Sequence, residues 1–292
     1  ILITALDARG LYYGIQTLKQ LLEPAMNRER VEIPLVTVAD WPDIEERGIW
    51  NSRFELSELS SLKLNFSRFD VNLNTVERGV PITVRLSDNA KLPERRSRAF
   101  VIIPTLFHLN FLNYPQYGNL YKAYPEVAGK GEKAFQKENP SPYHQVPCAT
   151  HPLYTKLLTE ILIDTAAKGL PEIDVWQSEF ISQCVCPACE EKGQFCAETE
   201  AIINAWRQVQ KEYPDFKLRI FFSLVDNQKK TYDCLMNLPV DVKAGWVYGP
   251  RKPFDELAAK GYWVASWAIQ AGAPYDFLGV KQGVKDLHDK RW

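Results

Sequence analysis

Strand-like and helix-like segments alternate along this sequence from Arg47 onward, and this alternation constrains the fold more than any other feature. Short apolar runs are followed, after a few polar residues, by stretches in which apolar side chains have helical spacing. The unit repeats about seven times, which favours a parallel sheet covered by helices. We therefore predict an α/β fold of the (β/α)8 TIM-barrel type. The strands are predicted at 48–50, 66–73, 100–106, 172–176, 218–224, 242–248 and 263–267.

The first residues have a different pattern. Residues 1–3 read as the tail of a strand, and a helix follows with Leu11, Ile15 and Leu18 on one face. We interpret residues 1–32 as the end of a small α+β domain with its linker, and residues 33–292 as the barrel. The chain opens inside a regular pattern and an eighth strand is not evident, so we interpret it as a piece of a longer protein with an incomplete barrel.

Composition excludes some classes of partner. Hydrophobic residues make up 46% and charged residues 24%, as in an ordinary globular protein, and the net charge is -1. Positive and negative residues are interspersed, which argues against a nucleic-acid or anionic-membrane partner. No run is long and apolar enough to span a bilayer. The sequence does not indicate an oligomeric state.

The predicted strand at 172–176 leads into Glu179. In a parallel α/β fold, side chains at the carboxyl end of a strand face the ligand crevice. A carboxyl group at that point can transfer a proton, so Glu179 is the first candidate for catalysis. The alternative is a solvated loop carboxylate.

Other side chains follow predicted strands in the same way. A neutral, hydrogen-bonded His108 is favoured over a metal-ligating one, and for each aromatic residue on its own core packing is favoured over a pocket role. The candidates for the pocket at these strand ends are Asn74, His108, Asn110, Trp246, Tyr248 and Trp267.

Three segments resemble the family 20 glycoside hydrolases, the β-N-acetylhexosaminidases. The pattern Gly-x-x-x-Gly-x-x-Thr-Leu-x-Gln-Leu at 10–21 is similar to the last helix of the family's small α+β domain. Residues 40–48, with Asp-x-Pro before an Arg-Gly pair, resemble the approach to the first barrel strand. Thr-His-Pro at 150–152, followed by a helix and the strand before Glu179, resembles the approach to the catalytic strand.

The resemblance implies a carbohydrate substrate and no catalytic cofactor, and it favours a secreted or periplasmic location. Arg47 would hold two hydroxyls of the terminal sugar, since a guanidinium offers a planar fork of donors. The alternative role for Arg47 is an ion pair with Glu45 or Glu46 at the protein surface. Glu179 would be the general acid, and the aromatic residues would line the sugar pocket. Tyr275 and Asp276 resemble the family's Tyr-x-Asp after the seventh strand, with altered spacing.

One departure from the family concerns the residue before Glu179, where the family has Asp and this chain has Ser178. The family's Asp orients the 2-acetamido group that acts as internal nucleophile, and a serine cannot balance the resulting positive charge. A second carboxylate, Asp226 or Asp276, would have to act with Glu179 and Ser178, or the substrate is different. An α-glucuronidase-like enzyme and a non-catalytic carbohydrate-binding barrel are therefore alternatives.

Four of the six cysteines lie close together in sequence, directly after Glu179. Cys184, Cys186, Cys189 and Cys196 have the spacing of a loop that can surround one structural zinc with thiolates. Disulfides or free thiols are the alternative, although Cys184 and Cys186 are too close in sequence to bond easily to each other.

Overall fold

The computed structural model describes residues 1–26, 35–49, 54–135, 144–179, 182–223, 225–247, 249–266 and 284–292. The chain divides into two compact units. The smaller unit consists of Ile1–Arg68 with Ala90–Ile102, and the larger of Phe69–Asn89 with Ile103–Trp292. The predicted domain boundary between residues 32 and 33 lies outside the described residues.

Within the described residues, the smaller unit contains three α-helices and one pair of short parallel strands. Residues 1–3, where a strand tail was predicted, have no strand partner among the described residues. Two residues of the predicted apolar face of the first helix, Leu11 and Ile15, are each 44% exposed. The elements are α1 (Ala8–Leu22), β1 (Gly48–Ile49), α2 (Leu56–Ser61), β2 (Phe66–Ser67) and α3 (Leu92–Ser97).

The glycines of the Gly-x-x-x-Gly pattern explain how α1 meets the segment before it. Asp7 caps the helix, and its Oδ1 accepts a hydrogen bond of 2.6 Å from the amide of Gly10. A Cβ atom at Gly14 would lie 2.6 Å from Cγ2 of Ile3, and one at Gly10 would lie 3.0 Å from Cβ of Ala5. The two glycines therefore allow Ile3 and Ala5 to pack closely against α1.

The larger unit is built on a five-stranded parallel sheet. Its five strands pair in chain order, and the connections between the last four strands carry helices, as predicted for repeated βα units. Within the described residues the sheet is an open array of these five strands, and closure into a barrel is not seen. The elements are β3 (Val71–Leu73), β4 (Val84–Leu86), β5 (Thr105–Leu106), α4 (Leu120–Ala123), α5 (Pro152–Ala167), β6 (Glu172–Trp176), α6 (Pro187–Lys192), α7 (Gln194–Val209), β7 (Lys217–Phe222), α8 (Lys229–Met236), β8 (Val242–Trp246), α9 (Lys252–Ala259) and β9 (Val264–Ser266).

Two strand predictions need correction. The strand predicted at 66–73 is divided: its first part is β2 of the smaller unit, and its last part, β3, pairs antiparallel with β4 in a hairpin that was not predicted. The strand predicted at 100–106 is reduced to β5, because Pro104 has no amide hydrogen for a ladder. The carbonyl of Pro104 still accepts a 2.9 Å bond from the amide of Asp174.

The two faces of the parallel sheet differ in chemistry. Ile173, Val175 and Ile220 belong to the main hydrophobic core, together with the inner faces of α5 and α7. The alternate residues point to the other face, where Trp176 stacks on Phe221 with ring centroids 5.0 Å apart. Strand alternation thus separates a packed side from an aromatic and polar side. Among the described residues, no helix is both long and apolar enough to cross a membrane.

Candidate active site

The backbone just beyond β6 is fixed by its neighbours on both sides. The carbonyl of Gln177 accepts hydrogen bonds from Nδ1 of His108 at 2.8 Å and from Oγ of Ser223 at 3.1 Å. The backbone amide of Gln177 donates to the carbonyl of Phe221 at 3.0 Å. Because His108 follows β5 and Ser223 follows β7, three consecutive strands meet at their carboxyl ends here.

Glu179 lies two residues further along this edge. Its amide donates a 2.8 Å hydrogen bond to Oδ1 of Asn110, which is 1% exposed. The side chain of Glu179 is half-buried, and desolvation raises its pKa above the ordinary glutamate value. The structure therefore brings three of the predicted site residues, His108, Asn110 and Glu179, to one strand edge.

His108 adopts an unusual backbone conformation at this edge. Its φ angle is +26°, in a region that residues other than glycine occupy at a cost of about 1–3 kcal/mol. Because a carbonyl oxygen can only accept, the Nδ1 atom of His108 carries the proton in its bond to Gln177. The ring also packs edge-on against Trp176, with centroids 5.0 Å apart.

Ser178 points away from the edge on which Glu179 is exposed. Its side chain is 0% exposed, its Oγ donates to Oε1 of Glu198 at 2.6 Å, and its amide donates to Oε2 at 2.9 Å. Gln194 also donates to Oε1 of Glu198, at 2.8 Å. The hydroxyl of Ser178 is bonded to a buried carboxyl group, and participation of Ser178 in catalysis stays a prediction.

Glu198 is a polar residue of the site that the sequence analysis missed. It lies on α7, is 0% exposed, and has a pKa raised to about 7 by burial. Gln194 and Glu198 stand four residues apart on the apolar face that Ala201 and Ile202 continue. Two polar side chains on an otherwise apolar helical face were the available signal, because such pairs are buried only when they are hydrogen-bonded.

Two other carboxylates near these strands have structural partners. Asp174 is 1% exposed and accepts a 2.8 Å bond from Nε1 of Trp176, and burial raises its pKa to about 7. Asp226, a candidate for the second carboxylate, accepts bonds from the backbone amide and the side-chain amide of Gln228 at the start of α8. The side chain of Asp226 thus forms a local Asx-type turn with the backbone two residues on.

The remaining predicted residues are dispersed. Arg47, in the smaller unit, donates to the backbone carbonyls of Ile44, Glu45 and Lys63 at 2.5, 3.1 and 2.8 Å, so substrate binding by Arg47 stays a prediction. Asn74 is exposed and bonds to Thr83 across the β3–β4 hairpin. Trp246 ends β8 and donates to the carbonyl of Gly249 at 3.2 Å. Outside the described residues lie Tyr248, Trp267, Tyr275 and Asp276.

A cysteine cluster lies beside this edge, and its membership differs from the prediction. Cys184, Cys186 and Cys189 come together as expected, but Cys148 joins them, and the four sulfur atoms lie within 4.8 Å of one another. Cys196 was wrongly assigned to the cluster: it sits on α7, and its Sγ contacts the carbonyl of Lys230 at 3.5 Å. Cys148 stands alone in sequence, so spacing could not identify it.

The neighbouring sulfurs change the pKa values of two cysteines of the cluster. Hydrogen bonds with Cys148 and Cys189 lower the pKa of Cys184, whereas hydrogen bonds with Cys184 and Cys189 raise the pKa of Cys148 above its usual range. All four cysteines are free thiols. The four sulfur atoms are close enough for the ionisation of each thiol to affect the others.

One comparison with known proteins bears on these observations. Residues 1–41 match the family model described as glycosyl hydrolase family 20, domain 2. The matched segment contains α1 with its two close-packed glycines. No curated protein matches the chain. The match relates the first 41 residues to domain 2 of family 20 glycosyl hydrolases, and it agrees with the resemblance of the 10–21 pattern.

Proposed function

We propose that this protein is a glycoside hydrolase of (β/α)8 barrel architecture, in which Glu179 is the general acid. The observation that carries the proposal is a half-buried carboxyl group with a raised pKa at the carboxyl end of β6. Five parallel strands in sequential order and the glycosidase-domain match at residues 1–41 support it.

Glu179 has the properties that acid catalysis of glycoside cleavage requires. A raised pKa keeps its proton available, and the carboxyl group would deliver that proton to the glycosidic oxygen as the C–O bond breaks. The carboxylate so formed would then accept a proton from the water that attacks the sugar. The hydrogen bond from the amide of Glu179 to Asn110 fixes the backbone from which the carboxyl group projects.

The sugar that fits the resemblance best is a terminal β-linked N-acetylhexosamine, removed by exo-cleavage. In this proposal Arg47 binds hydroxyl groups of that sugar, and Asn74, His108 and Asn110 contribute polar groups. The proposed walls of the sugar pocket are Trp246, Tyr248, Trp267, Tyr275 and Asp276.

A second candidate is a glycosidase that needs no 2-acetamido group, such as an α-glucuronidase-like enzyme. Ser178 is fully buried, and both its amide and its hydroxyl bond to the buried Glu198. This favours the second candidate, because Ser178 and Glu198 are then not available to contact a substrate acetamido group. In the acetamido-assisted mechanism the residue before the acid must contact the substrate. Asp276 would be the second carboxylate in that case.

Hydrolysis of a panel of nitrophenyl glycosides tests the function and separates the two candidates. Release of nitrophenol from the N-acetyl-β-hexosaminide identifies the first, and release from the α-glucuronide the second. The variant Glu179→Gln should lose about 10²–10⁴ in kcat/KM on the substrate that is cleaved. The matched control is Glu77→Gln, an exposed residue of the same unit, which should leave the rate unchanged. A Glu179→Gln protein that keeps the full rate would remove Glu179 from the acid role.

A further inference from the structure

The cysteine cluster is built from two segments that are distant in sequence. Cys148 precedes α5, whereas Cys184, Cys186 and Cys189 follow β6, and 38 positions separate Cys148 from Cys186. Cys184 and Cys189 are 0% exposed and Cys148 is 5% exposed. Cys186 is half-buried, so three buried sulfur atoms and one half-buried sulfur atom from two segments meet at one point, an arrangement that can hold a metal ion.

The distances match the geometry of a tetrahedral metal ion. Zinc–sulfur bonds are about 2.3 Å long, so sulfur atoms at the corners of a tetrahedron around zinc lie about 3.8 Å apart. The sulfurs of Cys148 and Cys186 are 3.6 Å apart, and all four lie within 4.8 Å of one another. Four thiolates in this arrangement favour zinc or iron over harder metals.

The surroundings of the sulfurs supply hydrogen-bond donors of the kind that stabilise bound thiolates. The amide of Lys130 donates to Sγ of Cys184 at 3.3 Å, and Oγ1 of Thr150 lies 3.1 Å from Sγ of Cys189. Gly131 permits this approach: its φ is +79°, and a Cβ atom there would lie 2.4 Å from Cγ2 of Val185. The loop that provides the donor is therefore shaped for close contact with the cysteine segment.

We propose that Cys148, Cys184, Cys186 and Cys189 form a structural zinc site that joins the segment before α5 to the segment after β6. Zinc carries two positive charges and allows all four sulfurs to be thiolates, which an empty cluster does not. The proposal stands whether or not the protein hydrolyses glycosides.

A chain of buried hydrogen bonds links this site to the backbone beside Glu179. The amide of Cys184 donates to Oε1 of Gln194 at 3.0 Å, and Nε2 of Gln194 donates to the carbonyl of Pro147 at 2.9 Å and to Glu198 at 2.8 Å. Glu198 in turn holds the amide and the hydroxyl of Ser178. Zinc therefore fixes both segments that the Gln194 amide bridges, and it stabilises the edge of the sheet from which Glu179 projects.

Metal content and cobalt spectra of matched variants test the site. The whole chain, expressed with added zinc, should contain one zinc per molecule, and its cobalt-substituted form should show the intense visible bands of tetrahedral cobalt thiolates. The variant Cys148→Ser should lose bound zinc by at least roughly tenfold. The control Cys196→Ser, a buried cysteine outside the cluster, should retain it.

Three results would overturn the proposal: a native protein without zinc and without the cobalt bands, iron in place of zinc, or a Cys148→Ser variant with full zinc content. If Cys148→Ser does not fold, the cobalt spectrum of the native protein still reports the number of sulfur ligands. Removal of zinc should also increase hydrogen exchange at the amides of Cys184 and Ser178. Unchanged exchange at both amides would remove the stabilising role.

Discussion

The buried carboxyl group of Glu198 gives a quantitative prediction about stability and pH. Burial raises its pKa from 4.5 to about 7 in the folded chain. Below pH 4.5 the group is protonated in both folded and unfolded chains, and its contribution to stability is fully present. Between pH 4.5 and 7 the unfolded chain ionises first, so that contribution is lost as the pH rises. With ~1.4 kcal/mol for each pH unit of pKa difference, the loss amounts to about 3 kcal/mol.

The variant Glu198→Gln cannot ionise and should lack this dependence. Its amide group would face the donating amide of Ser178, which adds a destabilisation that does not change with pH. The stability advantage of the native protein over the variant should therefore shrink by about 3 kcal/mol between pH 4.5 and 8. Asp174, with a similarly raised pKa, is present in both proteins and cancels in the comparison.

Urea unfolding at a series of pH values, followed by the fluorescence of buried Trp176 and Trp206, measures this difference. Glu77→Gln, an exposed substitution, supplies the flat control. A difference between the native protein and Glu198→Gln that stays constant from pH 4.5 to 8 would refute the reasoning, because it would mean that Glu198 has the same pKa in both states.

Three further outcomes are expected. If Glu179 is the acid, kcat/KM for the cleaved glycoside should fall as pH rises through a pKa above 4.5, and a falling limb at or below 4.5 would contradict the desolvation argument. Arg219→Ala should lower the free energy of unfolding by about 3 kcal/mol, because it leaves the buried carboxylate of Glu172 without its buried partner. Lys243→Ala removes the more exposed partner of the same carboxylate and should cost less. Equal losses in urea or thermal unfolding would argue against the buried pair. Gly131→Ala should destabilise the protein more than Gly79→Ala. Both glycines have positive φ, but of the two only Gly131 has a neighbouring atom within 4 Å of an added Cβ. Equal unfolding midpoints would show that the side chain of Val185 moves aside without cost.

Local signals in the sequence predicted the parallel sheet well. The apolar run at 172–176 is β6 at the predicted bounds, and the helix predicted from His151 begins at Pro152 with His151 as its cap. These elements are determined by short apolar runs and cap residues that lie within the segment itself. The position of Glu179 at a strand end follows from the same reasoning.

Features that depend on distant contacts were not predictable in this way. The segment 66–73 has the apolar content of one strand, yet pairing with β1 at one end and β4 at the other divides it. Cys196 is near the other cysteines in sequence, but α7 carries it away, and Cys148 takes its place across α5 and β6. Ser178 has the right position beside Glu179, and only the buried Glu198 determines where its hydroxyl points.

The placement of Cys148 has a consequence for the order in which the chain can assemble. As a ribosome releases the polypeptide, this thiol emerges before α5 and β6 and must wait until residues 184–189 have followed. Uniting the four sulfurs closes a chain loop that contains a complete helix and strand, and the entropy lost in closing such a loop grows only slowly with its length. The cluster can therefore form only after residue 189 has emerged, and its formation would mark the point at which α5 has folded back against β6.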